Sequence, residues 1–424
     1  MSESISDFIK NFLASLKLSE KTLPHRNPNV AWVWVFFPAA MAYLGVLMQI
    51  LNSKPILGSI EVYNAPAFEK IAQPKYPIQV LTQDNVRSDG PLWVDNDDGS
   101  PFLLYSDIQQ NKIFRWEEGK GFFTVGKTLH LSESGCASVG KAGSQCETGS
   151  NLGSSGLIKV FPPSTESATD LIVCQHGQRA VMLIHENGTR TAIATHYKGR
   201  RFHTPTDMAW SQQGHLYFTD PALDLQEQNL VDVVGDTVNP ESSLRDVKRL
   251  QPESSGGGLY MVHASEVAKA IQTGQPAENV FLIDNKMSKP SGLAFSPGFS
   301  KLYVSNADIK NAYWKVFEVN GKGLALKGKV FFNATDMITK NDKETYGVPE
   351  GMKVDIHGNL IAAGPGGVVI LSPEAELLGR LRTEHPVTNL AIAPDGYVYM
   401  TAGNLVLRKW LSTKPSKMPE LKSN

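Results

Sequence analysis

Residues 349–364 read PEGMKVDIHGNLIAAG. A proline, an acid and a glycine precede one alternating apolar segment, the turn His357-Gly358 follows it, and a second apolar segment comes after the turn. Apolar segments on both sides of a glycine-containing turn are typical of a β-hairpin. The stretch therefore predicts two antiparallel strands, the first of which begins beside Glu350.

The same hairpin pattern occurs six times beyond about residue 80. Its copies begin with SDGPLWV (88–94), SSGLIKV (154–160), PTDMAWS (205–211), PSGLAFS (290–296), PEGMKVD (349–355) and VTNLAIA (387–393). Further apolar segments between the copies bring each unit to about four strands, and one segment, SEVAKAIQTG (265–274), looks helical. A β-sandwich does not usually need so many strands, and a parallel α/β fold needs helices between them. Residues 80–411 are therefore predicted to form an all-β, six-bladed β-propeller.

Residues 31–51 form a run of 21 residues without a charge, long enough to cross a bilayer as one helix. A cleaved signal peptide is the alternative, although the run is long and no clear cleavage site follows it. Only Lys54 follows the run closely, so the positive-inside rule predicts a single-pass signal anchor with a cytosolic N-terminus and a lumenal or extracellular propeller. The basic residues before the run are Lys10, Lys17, Lys21 and Arg26.

The remaining segments are a cytosolic tail over residues 1–30, a linker over 52–79 and a basic C-terminal tail over 412–424. Apolar residues at helical spacing in the first tail predict an amphipathic helix that lies on the membrane, binds a partner or stays poorly ordered. The net charge is −1, with 41 basic and 42 acidic residues, which argues against nucleic acid as a partner.

Two sequons and three cysteines fit an oxidising compartment. Asn187 and Asn333 each begin an Asn-X-Thr sequon and are predicted glycosylation sites. Cys136 and Cys146 flank a Gly/Ser-rich loop and are predicted to form a disulfide. Cys174 lies in the apolar segment LIVC and is interpreted as a buried structural thiol.

The innermost strands of a propeller begin at the same end of the central channel, so one repeat position from each blade points to one place. The converging residues are two acids and four hydroxyl residues, without Lys or Arg: Asp89, Ser155, Thr206, Ser291, Glu350 and Thr388. Hard cations prefer such oxygen ligands. A tight channel mouth that needs small polar residues explains the four hydroxyls equally well. Two facing carboxylates require a cation or a shared proton.

Four segments carry a resemblance to a known family: CQHGQRAV (174–181), FHTPTDMAWSQQGHLYFTDPA (202–222), KPSGLAFSPGFSKLYVSNA (289–307) and GVPEGMKVDIHGNLIAAGPGGVVILSP (347–373). They resemble the family of senescence marker protein 30, gluconolactonase and luciferin-regenerating enzyme, over roughly residues 80–411. The resemblance implies a six-bladed propeller that hydrolyses lactones with one divalent cation, usually Ca²⁺, at the channel mouth.

The resemblance assigns the cation to Asp89, Ser291 and Glu350, with Glu350 also as the general base. Thr206 matches a ligand Asn of the family, and Ser155 matches a substrate-facing Asn. Each of these positions differs from the family residue: the two acids have exchanged lengths, and three amides have become hydroxyls. A neutral hydroxyl is a weaker calcium ligand than an amide carbonyl, so we expect weaker cation binding unless waters fill the gaps.

Other residues complete the candidate site. His176 is a candidate catalytic base, and the alternative is a histidine that binds backbone at a turn. Asp207 and Asp220 match acids of the family and either orient a loop or a ligand or take part in chemistry. The candidate substrate-binding residues are Ser155, Thr206, Asp207 and Thr388.

Three functions remain open. The first is a metal-assisted lactone or ester hydrolase in which Asp89 and Glu350 hold the cation. The second is a metal-independent, non-hydrolytic enzyme that cyclises or isomerises a small organic substrate, as in the strictosidine-synthase-like relatives of this fold. The third is a non-catalytic, membrane-tethered binding module. Insertions at about 124–153 and 223–257 are predicted to form a lid over a partly apolar small-molecule substrate.

Overall fold

The computed structural model describes residues 55–56, 58–72, 76–95, 100–119, 127–133, 153–161, 170–221, 257–338 and 346–416. The propeller lies in the compact unit formed by Ser53–Glu118 and Gly126–Asn424.

Six antiparallel sheets of the described residues form six blades, and the innermost strand of each blade is followed in sequence by the next strands outward; blades 5 and 6 gain further outer strands from the segment before blade 1. The strands before blade 1 are β1 (Pro55–Ile56), β2 (Ile60–Val62) and β3 (Ile78–Thr82). Blade 1 consists of β4 (Ser88–Val94), β5 (Phe102–Asp107), β6 (Lys112–Glu117) and β7 (Lys127–Glu133), and blade 2 consists of β8 (Ser154–Lys159), β9 (Leu171–Gln175), β10 (Ala180–Ile184) and β11 (Arg190–Ala194). A short hairpin follows, formed by β12 (His196–Tyr197) and β13 (Arg200–Arg201). Blade 3 consists of β14 (Met208–Trp210), β15 (Leu216–Asp220), β16 (Gly258–Val262) and β17 (Val280–Asp284).

Blades 4 to 6 follow the same pattern. They consist of β18 (Pro290–Phe295), β19 (Lys301–Asn306), β20 (Tyr313–Val319) and β21 (Ala325–Asn333); β22 (Met352–Val354), β23 (Leu360–Gly364), β24 (Gly367–Leu371) and β25 (Leu377–Arg382); and β26 (Asn389–Ile392), β27 (Tyr397–Ala402) and β28 (Leu405–Trp410). Within the described ranges, the helices are α1 (Ala65–Phe68), α2 (Ala264–Thr273) and a 3₁₀ turn (Thr335–Met337). The predicted all-β, six-bladed propeller is confirmed.

Strand β9 shows why the inner strands are continuous apolar runs. Ile172 and Cys174 pack in a cluster shared with blade 3, whereas Leu171 and Val173 pack in a cluster shared with blade 1. Successive side chains leave a strand on opposite faces, and here both faces are covered by a neighbouring blade. Six such clusters fill the six spaces between adjacent blades. Cys174 is free and buried, in agreement with its interpretation as a structural thiol.

The ring closes through the segment before blade 1. Strand β3 pairs with β28 as an outer strand of blade 6, and β2 pairs with β25 of blade 5. Glu61 on β2 accepts hydrogen bonds of 2.7 Å from Nε of Arg380 and 2.8 Å from Nε of Arg382. Residues 55–79, which the sequence suggested as part of a linker, therefore supply strands to two blades.

The helical prediction for SEVAKAIQTG matches α2, which begins after His263 and ends at Gly274 in the left-handed conformation (φ 70°). None of the helices in the described ranges is long and apolar enough to span a membrane. The predicted anchor (31–51), the N-terminal tail (1–30) and the Cys136–Cys146 pair lie outside the described residues. So do the two predicted lid insertions, except for their ends and β7.

Candidate functional site

The channel mouth is built where the six innermost strands begin. The six converging residues of the sequence analysis are called the ring residues: Asp89, Ser155, Thr206, Ser291, Glu350 and Thr388. In blades 1, 2, 4 and 5 the ring residue is followed by glycine. A Cβ at Gly90 would overlap the carbonyl oxygen of Ser155, and one at Gly292 would overlap that of Glu350. Gly90 also has φ 53°, which few other residues adopt. These glycines let neighbouring strands approach closely, so the ring residues meet at one end of the channel.

Blades 3 and 6 carry Asp207 and Asn389 at the position that is glycine elsewhere. Nδ2 of Asn389 lies 3.4 Å from Oδ2 of Asp207, so two opposite blades contact each other across the channel. The backbone N–H of Met208 donates to the other Asp207 oxygen at 2.9 Å. Burial raises the pKa of Asp207, and the charge of Lys353 opposes that rise. Asp207, a predicted substrate-binding residue, thus bridges the channel. Sequence reasoning missed Asn389 because the repeat pointed to its neighbour, Thr388.

Three hydroxyls of the ring bind backbone carbonyl oxygens. Oγ of Ser155 donates to the Thr206 carbonyl at 2.6 Å, and Oγ1 of Thr206 donates to the Thr204 carbonyl at 2.8 Å. Oγ1 of Thr388 donates to the Ser88 carbonyl at 3.0 Å. The bonds from Ser155 and Thr388 join adjacent blades. These contacts favour the alternative in which small polar residues serve the packing of a tight channel mouth.

Asp89 and Glu350 are the acids that the ring brings together. Burial raises the pKa of Asp89 to about 6, against a 2.7 Å hydrogen bond from the backbone N–H of Gly90. Burial also raises the pKa of Glu350 to about 8, and the negative charge of Asp89 adds to that rise. At neutral pH, Asp89 therefore carries a charge while Glu350 carries a proton. Two carboxyl groups whose environments give them different pKa values in this way can act as base and acid.

Arg87 is the residue that the sequence argument omitted. It lies two positions before Asp89, and its charge lowers the pKa of both Asp89 and Glu350. The ring residues contain no Lys or Arg, but the mouth does have a basic neighbour. The start of β4 is fixed because Asp107 accepts from the backbone N–H of Val86 at 2.7 Å and of Arg87 at 3.2 Å.

His176 lies at the mouth end of blade 2, where its backbone N–H donates to the Gly153 carbonyl at 3.0 Å. Its side chain is buried (8% exposed), and neither ring nitrogen has a hydrogen-bond partner among the described residues. Burial lowers the pKa of His176 to about 3, and the charge of Arg87 lowers it further. The imidazole is therefore neutral at physiological pH. It is a weak base, and its two buried ring nitrogens have hydrogen-bonding capacity that no described residue uses.

Asp220 orients the loop that leads into blade 3. Its carboxylate accepts from the backbone N–H of His203 at 2.9 Å and from that of Thr204 at 2.7 Å. Burial raises the pKa of Asp220 to about 7. Of the roles left open by the sequence, these contacts favour loop orientation.

The donor set does not fit a calcium ion. Asp89 and Glu350 supply carboxylates and Ser291 at most a hydroxyl, while the Thr206 hydroxyl donates to a backbone carbonyl. Across the described ranges, no group of three His, Cys, Asp or Glu side chains is arranged to hold a metal ion. Calcium takes about six to eight oxygen ligands, so most would have to be waters.

The two sequons lie on exposed turns. Oδ1 of Asn187 accepts from the backbone N–H of Thr189 at 2.9 Å, and Oδ1 of Asn333 accepts from that of Thr335 at 2.9 Å. Both asparagines are exposed. Their glycosylation stays a prediction.

Known proteins resemble this chain across the blades. The SMP-30/Gluconolactonase/LRE-like region matches residues 87–404. A gluconolactonase of Zymomonas mobilis is 30% identical over 356 residues, which are 83% of this chain and 86% of that protein. The structure of a gluconolactonase from Xanthomonas campestris aligns with a TM-score of 0.60 at 19% identity, covering 85% of this chain and 97% of that one. Regucalcin from Agrobacterium tumefaciens, a calcium-binding protein, aligns with a TM-score of 0.53 at 15% identity, covering 81% and 97%.

Proposed function

This chain belongs to the SMP-30/gluconolactonase/LRE-like family, and we propose that it hydrolyses a lactone at the channel mouth with Asp89 as base and Glu350 as acid. One observation carries the proposal: two half-buried carboxyl groups lie where the first strands of blades 1 and 5 begin, and the charge of Asp89 raises the pKa of Glu350. The roles follow from their different environments. The family resemblance implied that Glu350 is the general base, whereas in this proposal Glu350 is the acid and Asp89 is the base.

The reaction starts when the Asp89 carboxylate removes a proton from water as the water oxygen attacks the lactone carbonyl carbon. The ring C–O bond then breaks, and Glu350 transfers its proton to the departing ring oxygen. The product is a hydroxy acid whose carboxyl proton is the second proton of the attacking water. Transfer of the proton from Asp89 to Glu350 restores the starting state. Each group thus gains one proton and loses one proton per turnover.

In this proposal, His176 binds the substrate. A neutral imidazole offers one N–H donor and one acceptor, and both are buried without a partner among the described residues. A hydroxyl group of the substrate satisfies either position. Removing this contact should raise KM more than it lowers kcat.

The substrate is proposed to be partly apolar. Three exposed apolar side chains occupy loops at the mouth end of blades 1, 4 and 5: Val86 (53% exposed), Ile309 (40%) and Tyr346 (60%). They supply contact area for an alkyl or aryl group on the lactone. Lactones with such substituents should therefore be better substrates than unsubstituted aldonolactones.

The test is a screen of substituted and unsubstituted lactones and aryl esters in water enriched in ¹⁸O. Hydrolysis should place one ¹⁸O atom in the carboxylate of the product, and the double variant Asp89→Asn/Glu350→Gln should lose that product. Asp395→Asn is the matched control, because Asp395 lies in the turn at the opposite end of blade 6. Equal turnover by the double variant would rule the acid pair out.

A second candidate is a metal-independent, non-hydrolytic reaction in the same pocket. The lack of calcium ligands and the engaged hydroxyls favour it. A cyclisation or isomerisation would give a product without ¹⁸O in the same screen. A ligand that raises the melting temperature without any conversion would instead support a binding module.

For the N-terminal region, we propose that residues 31–51 anchor the chain in a membrane, with the propeller on the lumenal or extracellular side. The uncharged run and the exposure of Asn187 and Asn333 support this topology. In a eukaryotic host, both asparagines should carry glycans, and Cys136 and Cys146 should appear as one linked peptide under non-reducing conditions. Membrane-bound protein with neither glycan would contradict the topology.

A further inference from the structure

We propose that Asp207 and Asn389 form the floor of the substrate pocket and thereby determine which position of a lactone can carry a bulky group. The inference rests on the proposed function, because it takes Asp89 and Glu350 as the groups that the lactone must reach. It names the substrate class more closely: lactones that are unsubstituted beside the carbonyl and carry an apolar group on the opposite ring carbon.

The first observation concerns solvent exposure along the innermost strands. Five of the six ring residues are half-buried, and Ser155 is buried. The residue that follows the ring residue is buried in every blade: Gly90, Gly156, Asp207, Gly292, Gly351 and Asn389. One residue of a strand advances by about 3.3 Å. The pocket therefore ends about one residue below the two acids.

The second observation is the contact that closes the channel. Nδ2 of Asn389 lies 3.4 Å from Oδ2 of Asp207, and each residue is 4% exposed. Since blades 3 and 6 are opposite each other, this contact crosses the channel axis. Both side chains are also held by backbone groups: Oδ1 of Asp207 accepts from the N–H of Met208 at 2.9 Å, and Oδ1 of Asn389 accepts from the N–H of Leu390 at 2.8 Å. The pair thus blocks the channel with fixed side chains.

The third observation is the glycine that the other four blades carry in this layer. A Cβ at Gly156 would lie 2.8 Å from Oδ1 of Asp207, and one at Gly351 would overlap Cγ of Asn389. Glycine permits this close approach because it has no Cβ. Each polar side chain of the floor therefore packs on the backbone of a neighbouring blade. The glycine backbones close the sides of the layer, and Asp207 and Asn389 fill its centre.

The floor lies directly against the acids. Gly90 follows Asp89 in the chain, Gly351 follows Glu350, and the Asn389 side chain also donates a hydrogen bond to Asp89. The C–O bond that breaks has to face both carboxyl groups. In a five-membered lactone, the α carbon adjoins that bond, whereas the β carbon lies across the ring from it. A group on the α carbon therefore meets the floor, and a group on the β carbon points to the apolar loops of the mouth.

The first experiment compares α-butyl- with β-butyl-γ-butyrolactone, two isomers that differ only in the position of the butyl group. The wild type should prefer the β isomer. Asp207→Ala/Asn389→Ala removes both halves of the floor and should lower the β-to-α ratio of kcat/KM about tenfold or more. Asn389→Ser, a milder change, should move the ratio in the same direction. A ratio that stays at the wild-type value in both variants would overturn the inference.

Asn359→Ala is the matched control. Asn359 is also a buried asparagine, and its Nδ2 donates to Oδ2 of Asp355 at 2.9 Å at the opposite end of blade 5. Its removal should lower the melting temperature and leave the isomer ratio unchanged. If Asn359→Ala changed the ratio as much as Asn389→Ser, the ratio would follow general loosening of the fold, and the assignment of the floor would be refuted.

Melting temperatures test the floor without any substrate. Asp207→Ala and Asn389→Ala should each lower the melting temperature by about 2–6 °C, because each leaves a buried polar partner behind. The double variant should lose no more than the worse single variant, since the two residues act through one contact. If these losses are coupled but no lactone is hydrolysed, the proposed function fails and the floor stands. If lactones are hydrolysed but the losses simply add, the function stands and the floor is refuted.

Discussion

Four acids lie at the same end of the propeller, and they divide into two pairs by their hydrogen bonds. Asp107 accepts from the backbone N–H groups of Val86 and Arg87, and Asp220 accepts from those of His203 and Thr204. Each of these carboxylates holds a loop in place, because the N–H groups would otherwise lack a partner.

Asp89 and Glu350 differ from that first pair. Asp89 accepts from the backbone N–H of its neighbour Gly90 at 2.7 Å and from the side chain of Asn389, and the Glu350 carboxyl group accepts no hydrogen bond from any described residue. Burial without such bonds raises the pKa of Glu350 to about 8; for Asp220 the two backbone hydrogen bonds oppose burial, which still raises its pKa to about 7. Asp107 and Asp220, which each accept from two successive backbone N–H groups of a loop, therefore build the mouth, whereas the Glu350 carboxyl group beside Asp89 is left for a substrate.

The largest effect is expected from substitutions in the functional pair, Asp89 and Glu350. Asp89→Asn and Glu350→Gln should each lower kcat about 10²–10⁴-fold, because each removes one proton transfer. Neither should lower the melting temperature, since each removes a half-buried ionisable group with few hydrogen bonds. Steady-state kinetics and thermal melting check both parts. A destabilised Glu350→Gln would place Glu350 with the structural acids.

The next largest effect is expected from a substitution in the structural pair, Asp107 and Asp220. Asp107→Ala leaves the N–H groups of Val86 and Arg87 without their acceptor, so the free energy of unfolding should fall by about 2 kcal/mol. Urea unfolding measures the loss. Asp395→Ala, which removes one exposed turn contact, is the control. Equal stability of both variants would show that the hydrogen bonds of Asp107 do not hold the start of β4.

The third prediction concerns the pH dependence of kcat/KM, which depends on the different pKa values of Asp89 and Glu350. With Asp89 needed in its charged form and Glu350 in its protonated form, kcat/KM should rise through about pH 6 and fall above about pH 8. Each limb should approach a tenfold change per pH unit. Glu350→Gln should retain the acid limb and lose the alkaline one in its residual activity. The opposite outcome would exchange the two roles.

The smallest effect concerns His176 and stability. Its pKa is about 3 in the folded protein and about 6.5 in an unfolded chain, so the unfolded state binds more protons between those values. Stability should therefore rise with pH from 4 to 6.5, by at most about 1.4 kcal/mol per pH unit from this group. Urea unfolding at several pH values measures the slope. His176→Phe should flatten it; an unchanged slope would mean that the imidazole is not buried.

The fold followed from the sequence in detail. The segment SDGPLWV, for example, coincides with β4, and the helical segment in blade 3 coincides with α2. The repeat also identified Asp89 and Glu350 as neighbours. It did not identify Asn389 or Arg87, because a repeat position fixes where a backbone lies and leaves open which side chains face the channel.

What the sequence determined by itself is the number of blades, their strand order and the end of the channel where the acids meet. These properties depend on alternation and turns within a few residues of each other. Only the tertiary structure decided which polar groups remain available. Asn389 and Asp207 are 182 positions apart, and Thr388 and Ser88 are 300 apart. Since such contacts form only when blades from distant parts of the chain pack together, they determine which hydroxyls and amides are occupied and which carboxyl groups are left to act.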